Sequence, residues 1–241
     1  GSNHSSLSPT VLKTLPEGDS LEELLAITGI SLPTRAELNT YLADKGYPAE
    51  GYLAAGMILQ DANLMRKAII REPSNPHILF ALASRDDFPD DDRIHWARQL
   101  QEARPDNSLA SYLLAALAWK NGAKNPALEI LSQVDDRKKF QTFTSESIIG
   151  LTEALRAAGN NPEASAYYAM LTVDLPHLAQ LLSLSHNLQE HAQQSSRGEA
   201  FIARRRNAIL GTSLARENDV ISGLVGLSIQ GNAYENLPPD A

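Results

Sequence analysis

Apolar residues recur every three to four positions along most of the chain, and no stretch alternates at period two for long. Recurrence at i, i+3, i+4 and i+7 places apolar side chains on one face of a helix, so the pattern predicts an all-α protein. The punctuation sets the elements. Ser20 is placed to cap a helix through Leu21, Leu24, Leu25 and Ile27, which Gly29 stops. Pro33-Thr34 opens a second helix carrying Leu38, Tyr41 and Leu42, ended by Gly46. Pro48 opens a third with Tyr52, Leu53, Met57 and Leu59, and a fourth is predicted over residues 62–71. Breaks then fall at residues 72–76 and 103–107, each holding a Pro that ends one helix and an Asn or Ser that can cap the next. Past Pro176 the pattern lengthens. Leu178, Leu181, Leu182, Leu184 and Leu188 form one stripe, and the polar residues 189–197 read as a helix end and loop. A long helix is predicted over residues 198–216 and a last one over 220–229.

One internal match is strong. Leu114, Ala118, Gly122, Ala127 and Leu131 recur as Leu151, Leu155, Gly159, Ala164 and Tyr168, every pair 37 residues apart. The unit reads as a helix, a tight glycine turn and an antiparallel helix, with a small residue (Ala127 or Ala164) where the two approach. Such a pair cannot bury its outer apolar face alone, so neighbours must stack on it.

These segments, residues 108–134 and 145–176, resemble the tetratricopeptide repeat family. The second carries Leu151, Leu155, Gly159, Ala164, Tyr168, Leu171 and Pro176 in the family's order and spacing, and the segments ending at Pro105 and Pro73 are weaker copies. The departures are Ser111 and Ile148 in place of an early aromatic, Thr152 in place of a small residue, and a repeat about three residues longer than usual, the extra ones near residues 135–139. The resemblance implies stacked antiparallel helical hairpins forming an α-α superhelix, closed by C-terminal capping helices. It also implies a concave groove lined by the first helix of each hairpin, which makes Tyr112, Ala116, Trp119, Ile149 and Glu153 the candidate peptide-contacting residues. The expected organisation is a tag remnant and linker over residues 1–19 and one helical-repeat domain over 20–235. That domain divides into N-terminal helices (20–72), repeat-like hairpins (73–176) and C-terminal helices (177–235).

Composition agrees with helices: apolar residues make up 43% but aromatics only 6%, and the Ala- and Leu-rich remainder loses little on entering a helix. The net charge of -8 argues against a nucleic-acid partner, which calls for a positive footprint. The absence of cysteine excludes disulfides, thiolate metal sites and thiol nucleophiles. No apolar run reaches the ~20 residues of a membrane span. Gly1-Ser2 reads as a tag remnant before a polar, Pro-containing linker. One expectation is a signal peptide or anchor upstream and a place in the cell envelope; the other is a native linker on a cytoplasmic protein.

Chemistry-bearing clusters are few. His186 and His191 lie five residues apart, off the i, i+4 spacing that aligns two ligands on a helix, so with Glu190 they read as a polar helix end and not a zinc set. The acidic run Asp86, Asp87, Asp90, Asp91 and Asp92 lacks the glycine turn and closing Glu of a calcium loop. It reads as a hairpin turn whose aspartates cap and charge-stabilise a helix beginning near Asp90. Arg204, Arg205 and Arg206 point in three directions and read as a solvated face with Glu199 as a local partner. No phosphate loop or nucleophile elbow is present, and no catalytic residue, metal or cofactor is expected. The expected function is therefore a non-enzymatic scaffold binding a protein or peptide, with a homo-oligomer through the C-terminal helices as its companion. Two alternatives stay open: an α-superhelical envelope hydrolase or lyase, which a deep pocket with a perturbed carboxylate would mark, and a small-ligand-binding envelope protein, which a closed apolar pocket would mark.

Overall fold

The computed structural model describes residues 29–134, 138–217 and 219–235, without the side chains of Tyr234 and Glu235. The helix expected through Leu21 and Ile27 lies outside these residues. Among them the regular elements are all helices: α1 (Arg35–Asp44), α2 (Ala49–Leu59), α3 (Ala62–Arg71), α4 (Pro76–Ala83), α5 (Asp90–Ala103), α6 (Leu109–Lys120), α7 (Lys124–Ser132), α8 (Thr144–Ala157), α9 (Pro162–Thr172), α10 (Pro176–Gln194), α11 (Arg197–Ala215) and α12 (Val220–Glu235).

Local chemistry sets most boundaries. Thr34 and Glu37 form a reciprocal capping box at α1, and the side-chain oxygens of Asp61, Asn75 and Asn161 cap α3, α4 and α9. Pro76, Pro162 and Pro176 open their helices, where a missing N–H leaves no bond unmade. Gly122 (φ +77) and Gly159 (φ +89) close the turns of the two matching hairpins in the left-handed region that glycine enters without steric cost. One boundary differs from expectation: the polar stretch read as helix end and loop is mostly helical, because α10 runs on to Gln194 with Ala192 buried on its inner face.

Consecutive helices pair as hairpins, α2 with α3, α4 with α5, α6 with α7, α8 with α9 and α11 with α12. Stacking order is not chain order. α6 packs on α5, but α8 packs on α2 of the first hairpin and on α1 before it, while α10 packs on α6 and carries α11. The loop between the third and fourth hairpins explains the detour. Ser108 N–H donates to Lys139 O at 2.8 Å and Lys139 N–H to Asp106 O at 3.0 Å, while the Asn107 amide exchanges bonds of 2.9 and 3.0 Å with the Gln141 backbone. Residues 139–143 thus lie against the start of α6, beside α4, where Phe143 meets Phe80 at 5.5 Å between ring centroids. Surrounded in this way, α4 is buried from His77 to Ala83, and α6 exposes only Lys120 fully.

Candidate functional site

An open groove of about 430 Å³ lies between α5, α6 and α7. Leu114 and Ala118, one turn apart on α6, form its floor; Ile94 of α5 and Pro126 and Ile130 of α7 form its walls. The rim is polar. Gln101 donates to the Ser111 hydroxyl at 3.0 Å, tying α5 to α6, and exposed Arg98 and Glu102 bring one charge of each sign. An apolar floor under a polar rim, within the size range of ligand clefts, can take an aliphatic side chain and fix its direction.

The residues expected to line a groove lie elsewhere. Tyr112, Ala116 and Trp119 occupy the opposite face of α6, at 0%, 9% and 7% exposure. Trp119 meets His191 edge-on at 5.9 Å and Tyr112 meets Phe140 at 5.8 Å. Ile149, 60% exposed, and Glu153 sit on the outer face of α8, in a different hairpin. The structure therefore does not bring these five residues together. The sequence signal for the observed groove was present, since Leu114 and Ala118 belong to the internal match, but α6 is apolar on nearly every face and its periodicity does not say which face stays open.

A polar relay, buried at His77 and Ser147 and half-exposed at Glu50, joins three hairpins. His77 Nδ1 lies 2.7 Å from Glu50 Oε2 and His77 Nε2 lies 2.8 Å from the Ser147 hydroxyl. The order hydroxyl, imidazole, carboxylate is that of an acyl-transfer triad. Here, however, Ser147 is only 6% exposed, and its N–H, which in such a site would face an oxyanion, is committed to Phe143 O at 3.1 Å. The relay holds α2, α4 and α8 in register. Burial pushes the Glu50 carboxyl up, but hydrogen bonds from His77 and Asn75 and the His77 charge outweigh burial and leave it below the usual range. Replacing His77 by Ala leaves the Ser147 hydroxyl and the Glu50 carboxylate without this partner, and is expected to cost about 2–3 kcal/mol in urea unfolding. A carboxyl with a depressed folded-state pKa stabilises above its unfolded pKa and loses that contribution as pH falls through the folded value. The gap between the wild type and Glu50→Gln should accordingly close below pH 4.5.

The acidic run has a different partner from the one expected. Helix α5 does begin at Asp90, but its N-cap is Pro89, with no side-chain capping bond. Asp90, Asp91 and Asp92 do stand in its first turn, as charge stabilisation of the helix requires, and several of the aspartates also serve as counter-ions. Arg93, fully buried, donates to Ala83 O at 3.1 Å and pairs with Asp86 and Asp90 at 2.7 and 2.9 Å. Arg85, 5% exposed, pairs with Asp87 at 2.7 Å and Asp174 at 3.1 Å. His186 pairs with Glu190 at 3.2 Å, Arg206 donates to the carbonyls of Val134 and Ser132, and Glu199 is engaged by Ser196 in a capping box. Among the described residues no group of three or more His, Asp or Glu is placed to hold a metal ion, and no helix is long and apolar enough to cross a membrane. Asn207, 1% exposed, has neither amide atom bonded, and the crevice beside it between α10, α11 and α12 has room for about one water molecule.

Comparisons with protein-family models, with curated proteins and with solved structures find no match for this chain.

Proposed function

We propose that the protein is a non-enzymatic interaction scaffold, built of tetratricopeptide-like hairpins, that binds a short segment of a partner protein in the groove between α5, α6 and α7. The observation that carries this reading is a preformed, open groove between two packed hairpins with an apolar floor, Leu114 and Ala118. The rim carries one charge of each sign, Arg98 and Glu102, so the apolar floor and not the rim charge selects the segment. The glycine turns at Gly122 and Gly159 support the hairpin reading, although the fourth hairpin stacks on the first and not on the third.

Peptides selected from a random library on the wild-type protein supply the probe, and fluorescence anisotropy reads their affinity. Ala118→Trp fills the floor and should weaken the selected peptides by about tenfold or more, the scale of losing one buried aliphatic anchor. Ile149→Asp, on the outer face of α8, should change nothing. Loss of binding in Ile149→Asp with Ala118→Trp unaffected would move the site to α8 and reject the groove assigned here.

A further inference from the structure

Helix α12 has two faces with different demands on its sequence. Towards α11 it presents Gly226, where an added Cβ would collide with the α11 backbone. Away from α11 it presents Val220, Leu224, Leu227 and Gly231. The first three are 77%, 63% and 59% exposed, and a Cβ at Gly231 would meet nothing within 4 Å. The intramolecular packing thus gives no reason for glycine at 231, where it weakens the helix relative to alanine. Between Val220 and Tyr234 the helix carries no charged residue, in a chain of net charge -8. Interfacial membrane helices carry Lys or Arg along the edge of their apolar face; this one offers neither attraction to anionic lipid nor a pairing site for a charged partner.

The spacing of the four residues is 4, 3 and 4, which reads the same in both directions. Two copies of α12 crossing antiparallel about a two-fold axis would therefore set Leu224 against Leu227 and Val220 against Gly231, a large residue opposite the smallest at both ends. A two-fold interface needs this kind of self-complementary patch. The helix has 16 residues and is about 24 Å long. A face of that length and about 10 Å width covers on the order of 250 Å² on each copy, about 500 Å² in all, less than a standard interface, so this seam alone gives a weak contact. We infer that α12 is the seam of a weak, antiparallel, two-fold homodimer, in which the glycine at 231 receives Val220 of the second copy.

The chain has no cysteine, so introduced thiols report without background. Val220→Cys and Gly231→Cys proteins, mixed under mild oxidation, should give the mixed disulfide in at least about tenfold excess over either homodisulfide. In the antiparallel seam the two 220 positions lie on the order of 16 Å apart, beyond disulfide reach. Sedimentation velocity on the wild type should show a dimer that grows with concentration in the micromolar range or above and is absent in Leu224→Asp, a change at an exposed position that leaves the helical circular dichroism intact. A monomer at all concentrations, without enrichment of the mixed disulfide, overturns the inference. So does a preference for the 220–220 homodisulfide, which would make the seam parallel. Binding to neutral phosphatidylcholine vesicles that is lost in Leu224→Asp without any self-association would give the face to lipid and reject the dimer.

Discussion

A single methyl group at position 226 is expected to lower the stability of the protein by about 3 kcal/mol, among the larger effects available from so small a change. The Cβ of Gly226→Ala would stand 2.6 Å from Gly211 O and 2.8 Å from Ala215 Cα, and closer still to Ala215 N. All three are backbone atoms, so no side chain can rotate away and the two helices must separate. At the reciprocal position a Cβ on Gly211 would meet Gln230 N and Gly226 O, each at 2.9 Å. Separation opens the contacts of Leu210, Leu214, Val225 and Ile229, all buried at the same crossing. Two neighbouring glycines provide the control. Gly223→Ala and Gly231→Ala add a Cβ that meets nothing within 4 Å, and at concentrations too low for association each should raise stability by about 0.5–1 kcal/mol through helix propensity alone. Urea unfolding followed by circular dichroism separates the three. A Gly226→Ala midpoint equal to that of the wild type would show that α11 and α12 do not cross this closely.

What the sequence could and could not reveal divides along the same line, between local and long-range causes. The caps at Thr34, Asp61 and Asn75, the prolines that open α4, α9 and α10, and the glycine turns at 122 and 159 are local devices, and the helices begin and end close to where these residues place them. The position of the fourth hairpin against the first is not local. It depends on Asn107 and Ser108 binding the backbone of residues 139–141, thirty residues downstream, and nothing in a periodic pattern encodes that reach. The five expected groove residues lie apart for a related reason. Tyr112 and Trp119 are aromatics at helical spacing, as attractive for a groove as for a core, and packing decides between the two, with Phe140 against Tyr112 and His191 of α10 against Trp119. The acidic run shows the converse. Its charge density was visible, but the buried guanidiniums of Arg85 and Arg93 that consume it were not, because burial of an arginine is a property of the packed hairpins and not of its neighbours in sequence. The relay from Glu50 through His77 to Ser147 spans 97 residues of chain, 147 minus 50, and could be found only after folding.

Acidification from pH 6.5 to pH 4 should remove up to about 3 kcal/mol of stability through one residue, His177. His177 opens α10 with its ring 1% exposed, edge-on to Phe80 at 5.1 Å, and neither ring nitrogen has a hydrogen-bond partner. Burial pushes its pKa down from 6.5 to about 4, a displacement that the nearby Asp219 carboxylate only partly opposes. Above pH 6.5 the imidazole is neutral in both the folded and the unfolded chain. Between 6.5 and 4 the unfolded chain takes up the proton and the folded one does not, so the unfolded state gains stability at 1.36 kcal/mol per tenfold difference in proton affinity. The Glu217 carboxyl, in the same corner and bonded to Thr142, has the opposite slope: burial and then the Asp219 charge raise its pKa, so its contribution is lost as pH rises. The slope due to His177 is therefore read as a difference from a variant. His177→Phe keeps a ring against Phe80 and removes both unbonded nitrogens. It should be at least as stable as the wild type at pH 7, by up to about 1–2 kcal/mol for the desolvation relieved, and the gap should widen to its full value as pH falls to 4. His177→Leu, free of any strain from the larger ring, should show the same widening. Parallel pH profiles for the wild type and both variants would mean that His177 is protonated in the folded protein, or reaches solvent, and that the junction between α4 and α10 is looser than its packing indicates.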